Sequence, residues 1–157
     1  MIRLALLLVL IGGAAWFFLG RGPDPGSEQA RLEDQFAKDM TDVVLAGKFQ
    51  IGDRVVDDRY AVKSATHLAG DKWIVQAQWG KKDLTVPVPV TVKWAGDTPV
   101  ITLTDAGLPG GGKYTARVLI YRGNYAGYWA NDKGHGGQMW GKLERSSPAA
   151  AAVPAAQ

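Results

Sequence analysis

The sequence predicts a mainly β protein: an antiparallel small barrel or sandwich of about eight strands, preceded by an N-terminal transmembrane helix and one short amphipathic helix. Three observations predict it. Apolar and polar side chains alternate with a period of two from Val43 to Arg145. The alternating segments are short and joined by turn residues, which leaves no room for the long crossovers that parallel strands need. A single uncharged run, Leu4 to Gly20, stands at the amino end.

Composition sets the outer bounds. A chain of 157 residues, 46% hydrophobic and 21% charged, holds one globular domain plus appendages. It has no cysteine, which excludes disulfides, thiolate chemistry and a lipid-modified cysteine anchor. Eighteen bases against fifteen acids give a net charge of +3, too mild for a nucleic-acid binder.

Residues 1–21 read as a transmembrane signal-anchor, so the membrane is an expected partner through residues 4–20. As a helix, Leu4–Gly20 would span about 25 Å, workable with local bilayer thinning. Cleavage after Gly13-Ala14-Ala15 would leave Trp16-Phe17-Phe18-Leu19 as an exposed apolar terminus. An uncleaved anchor is therefore favoured over a secretory signal, whose removal would leave the body secreted. Arg3 and the amine precede the run, so the positive-inside rule places the body outside the cytoplasm.

Residues 22–27 form a Pro/Gly linker, and Ser27 caps an amphipathic helix within residues 28–42. Leu32, Phe36, Met40 and Val43 share one face of it at i, i+4 spacing. The β domain spans 43–145. Its strands are Val43–Ile51, Arg59–Leu68, Lys72–Trp79, Leu84–Trp94, Val100–Thr104, Lys113–Tyr121, Tyr125–Ala130 and Gln138–Glu144. Residues 146–157, rich in Ala and Pro, read as a disordered tail. Charge divides unevenly: nine acids face four bases from Asp24 to Asp58, and twelve bases face six acids from Arg59 to Arg145. A helix docked by complementary charge explains this more simply than a basic binding face.

Pro87 and Pro89 stand two apart in Leu84–Trp94, so both missing N–H groups lie along one side of that strand. That side does not ladder normally, which marks an edge, a bulge or a barrel mouth. Protection of a Val-rich strand against aggregation explains the prolines more readily than a binding edge does.

Motifs for catalysis are weak. Gly107-Leu108-Pro109-Gly110-Gly111-Gly112-Lys113 has phosphate-loop spacing, but Tyr114 follows the lysine and a strand pattern replaces the required helix. His67 and His135 are the only imidazoles and show no paired spacing, so no metal and no cofactor are expected. Asp57-Asp58 reads as a solvated pair. An undetected hydrolase would rest on His135 with Asp132. No nucleophile elbow is present, and the chain is expected not to be an enzyme.

The aromatics carry the remaining signal. They can fill a small core, line an apolar ligand cavity or stack on sugar, and core filling is the commonest use. For a ligand site the expected contacts are Trp73, Trp79, Trp94 and Trp129, with Arg117 as the polar group.

Two stretches, VPVPVTVKWAGDTPVITLTD (Val86–Asp105) and YTARVLIYRGNYAGYWANDKGHGGQMWGKLE (Tyr114–Glu144), resemble a family of uncharacterised bacterial proteins that are membrane-anchored or secreted. That resemblance implies a location outside the cytoplasm and no activity. Gly47-Lys48-Phe49 is similar to the Gly-x-Trp of lipocalin-type barrels, and Arg145 ends the last strand as in those proteins. This second resemblance implies a ligand-binding barrel. The expected role is thus a non-enzymatic binding or interaction module at the membrane surface, taking a small apolar ligand or a protein partner. The alternative is a structural envelope protein that pairs through the exposed Leu84–Trp94 edge.

Overall fold

The computed structural model describes residues 25–79, 84–108 and 111–145. The expected transmembrane segment, the first half of the linker and the Ala/Pro tail lie outside these residues. Among the described residues no helix is long and apolar enough to cross a membrane.

Eight antiparallel strands form a closed up-and-down barrel, which decides between barrel and sandwich. They are β1 (Val43–Ile51), β2 (Arg54–Ala69), β3 (Lys72–Trp79), β4 (Leu84–Ala95), β5 (Thr98–Gly107), β6 (Lys113–Tyr121), β7 (Asn124–Asn131) and β8 (Gly136–Arg145). Each strand pairs with the next in sequence, and β8 returns to β1 from Val43↔Arg145 to Phe49↔Met139. Closure leaves neither end strand with a raw edge. Three expected strands match at both ends. The largest departure is β2, which begins at Arg54, not at Arg59, because Gly52-Asp53 makes a tight turn. Its charged residues look like a loop, yet alternate ones project outward from a paired wall.

Helix α1 covers Pro25–Asp39, three residues earlier than the expected start at Glu28. Proline fits a first helical turn, where its missing N–H has no helical partner to lose. Pro25-Gly26-Ser27 are therefore helical, and Ser27 lies inside the helix instead of capping it. In the compact unit that begins at Asp34, Phe36 and Met40 are buried, as the spacing predicts. Phe36 meets Trp73 edge-on at 5.0 Å and Trp94 at 6.2 Å, which seals the end of the barrel where β1 starts. Asp42, at φ 48°, then turns the chain into β1.

Arg145 ties the last strand to this helical segment. Its guanidinium donates to the carbonyls of Lys38 (2.9 Å) and Thr41 (3.2 Å) and to the Asp39 carboxylate (3.2 Å). A cation here satisfies carbonyls that a helix end leaves without partners and complements its dipole. The side chain is 64% exposed, so screening keeps the contribution small. Arg145→Ala is expected to cost about 1 kcal/mol in urea denaturation, and Arg145→Lys to recover little, because one ammonium does not reproduce the fork.

The wall is incomplete at one seam. β4 pairs with β3 along Leu84–Thr91, but with β5 only from Thr91 to Ala95. Val92 donates its N–H to Asp71 on the β3 side, so the backbones of Pro87 and Pro89, in the opposite phase, face β5. The strand thus lacks donors where its second ladder stops. The expectation from the two prolines holds locally, within a barrel that is closed elsewhere.

Outward positions carry Lys48, Asp57, Arg59, Lys63, Lys93, Arg117, Lys142 and Glu144, while inward ones are mostly apolar. This is the reverse of a membrane-spanning barrel, whose outer face is apolar.

Candidate functional site

The inward-facing side chains fall into two groups along the barrel axis. Next to the helix end, Val43, Leu45, Val62, Trp73, Val75, Val90, Val92, Ile120 and Tyr125 are buried. Toward the opposite end Phe49, Val56, Tyr60, Ala77, Val86, Leu103, Tyr114, Ala116 and Met139 are only half-buried, and Leu84 is 54% exposed. In that half Trp129, at 8%, and Val118, at 7%, are buried. An inward side chain in a closed wall meets solvent through a mouth or a seam, and this half has both.

Aromatic rings group around that mouth. Phe49 stacks on Trp129 at 4.7 Å, Tyr60 lies 6.2 Å from Phe49, and Tyr114 lies 6.4 Å from Trp129. The Trp129 indole N–H donates to the Gln50 carbonyl at 3.0 Å, which fixes the ring against β1.

A carboxylate faces the same space. Asp58 pairs in register with Gly47 and shares the inward phase of Val56, Tyr60 and Val62. Its Oδ1 accepts the Arg59 N–H at 2.8 Å. Its neighbour Asp57 points outward and binds Lys48 at 2.6 Å. Burial raises the Tyr60 hydroxyl pKa, and the charge of Asp58 and a hydrogen bond to it raise it further. Tyr125 is raised by burial first and by Asp58 second.

These shifts predict a pH effect with a definite sign. Unfolded tyrosine ionises near pH 10, while the native hydroxyls of Tyr60 and Tyr125 keep their protons beyond it. Above about pH 10 the unfolded chain therefore binds fewer protons than the native one, and stability falls as pH rises. Below about pH 10 the contribution is intact. A phenolate absorbance titration should show two of the five tyrosines lagging behind the rest until the barrel unfolds.

The expected site residues are divided between locations. Trp73 and Trp94 come together around Phe36 at the helix end, where Trp73 also stacks on His67 at 4.7 Å. Trp129 belongs to the aromatic group at the mouth. Trp79 is the last residue of β3, and its side chain lies outside what is described. Arg117 lies on the outer wall, since Val118 beside it faces inward. Its guanidinium donates to the Leu103 carbonyl (2.6 Å), the Ala116 carbonyl (2.7 Å) and the Thr104 hydroxyl (3.0 Å). It does not share a face with the tryptophans. The residue that sequence reasoning passed over is Asp58, read as solvated with Asp57. Strict alternation through Val56-Asp57-Asp58-Arg59-Tyr60 carries the signal that separates them.

The remaining motifs fall where their chemistry is weakest. Gly107 ends β5 and Lys113 begins β6, so no helix follows the glycine-rich stretch. His67 sits beside the β2–β3 turn at the helix end, whereas His135 lies in the β7–β8 turn at the mouth end. Among the described residues no three His, Asp or Glu side chains group as metal ligands. Comparison of the chain with protein-family models, curated proteins and solved structures finds no match.

Proposed function

We propose that this chain is a non-enzymatic binding module whose barrel holds a small ligand with an apolar body in its mouth half. One observation carries the reading: inward apolar side chains are sealed beside the helix and stay within reach of solvent at the other end. Exposed apolar surface inside a wall has a use when a ligand covers it. Phe36 and Met40 supply the floor of the cup, and the aromatic group of Phe49, Tyr60, Tyr114 and Trp129 supplies its lining. The β4–β5 seam offers a side entrance. The uncharged run at residues 4–20 supports an anchor that holds the module at a membrane surface outside the cytoplasm. Pairing through the β4 edge has less support, because Pro87 and Pro89 remove its donors.

The test is binding of a neutral apolar fluorophore, N-phenyl-1-naphthylamine. One equivalent should bind with a gain in its emission. Ala116→Trp, which fills the mouth half from the inner face of β6, should abolish binding while the far-ultraviolet β spectrum is kept. No binding by the parent chain, or unchanged binding by the filled variant, overturns the proposal.

A further inference from the structure

Resting on the reading of the mouth half as a ligand cup, we infer that its ligand is an organic cation. The class is an amine or quaternary ammonium with an apolar tail, its charged head set against Asp58 among Tyr60, Phe49, Trp129 and Tyr114. Along the strands Asp58 is the one acidic side chain among the described residues that faces the lumen. Asp105, formally in the same phase on β5, is carried out by a register shift and accepts from the Thr115 hydroxyl on the outer wall at 3.4 Å.

Asp58 is half-buried, and its Oδ1 accepts from a neutral donor, the Arg59 N–H. No lysine or arginine among the described residues pairs with it. Three outward acids do have a cation: Asp57 has Lys48, Glu144 has Arg59, and Asp71 has Lys93. A carboxylate that faces a mostly apolar lumen with no counter-ion among the described residues leaves its charge for a bound cation to complement. The surrounding rings add to the preference. Tyr60, Phe49, Trp129 and Tyr114 form a continuous series at centroid spacings of 6.2, 4.7 and 6.4 Å. The negative π faces of such rings attract ammonium groups, most strongly where water is excluded. An anionic head would meet Asp58 instead of Arg117, which donates to groups on the outer wall.

The experiment ranks three probes with the same tail, octyltrimethylammonium, 1-octanol and octanoate, by displacement of N-phenyl-1-naphthylamine from the full chain. The ammonium should displace it at a concentration about tenfold or more below that of 1-octanol, the ratio that about 1.4 kcal/mol produces. Octanoate should be the weakest. Asp58→Asn should bring the ammonium to the level of 1-octanol and leave the neutral compounds unchanged. Asp57→Asn, the same charge change on the outer wall, should leave the order as it was. Equal displacement by ammonium and alcohol, or a preference that survives Asp58→Asn, overturns the inference and leaves the cup standing. Failure of the naphthylamine to bind overturns the cup and this inference with it. Should Asp58→Asn alone lose the naphthylamine, as a misfolded chain would, the ranking by the unaltered protein decides.

Discussion

Gly141→Val is expected to remove about 3 kcal/mol or more of stability, at the upper end of what overpacking costs. Gly141 and Gly47 face each other where β8 closes onto β1. A Cβ on Gly141 would collide with the Ala46 carbonyl, and one on Gly47 with the Trp140 carbonyl. The obstacle in each case is the backbone of the neighbouring strand, which has no alternative rotamer. Two strands approach this closely because the sheet bends sharply to meet itself, and a side chain would push the joint open. Thermal denaturation should show a midpoint lower by about 12 °C or more. Outward Lys142→Val, one residue along, serves as the control and should change little. A Gly141→Val barrel as stable as its parent would mean that the joint tolerates a wider spacing.

The second large effect is expected at Trp73, 1% exposed and fully enclosed by Phe36, His67 and the inner wall. Truncation to alanine should cost about 3–5 kcal/mol, the range for large aromatics in cores. Its indole N–H is buried and finds no acceptor among the described residues. That group was removed from water without compensation, so its deletion recovers part of what its burial cost. Trp73→Phe should therefore lose less than about 1.5 kcal/mol, well below the alanine variant. Urea denaturation of the two variants separates the contributions of ring volume and ring polarity. Equal losses would show that the N–H has a partner after all.

Much of the barrel was legible because its two faces obey different solvents. β1, β3 and β6 could be bounded to the residue, since their apolar positions alternate without interruption between turn residues. The start of β2 was not legible. Asp57 and Arg59 project from the outer wall and Arg54 stands at the rim, and in one dimension such a strand has the composition of a loop. The floor was legible in the i, i+4 series ending at Phe36 and Met40. The partition of tryptophans between floor and mouth was not, because it depends on which strands pair and in what register. Arg117 shows the converse error. Grouping it with the tryptophans by chemistry passed over Val118, whose inward side chain fixes Arg117 on the other face. Asp58 was hidden by Asp57: two adjacent acids look like one polar patch until the pleat sends them to opposite sides.

The union of β1 with β8 also governs how the chain must assemble. Lys38 and Arg145, joined in the native fold, are 107 residues apart, so the first strand has no second neighbour until nearly the whole domain exists. During synthesis the growing meander carries an unsatisfied border that only the ten residues of β8 can cover. Nascent chains that stall before β8 are the species on which chaperones would act, and a stop codon there should yield insoluble product, not a smaller soluble domain.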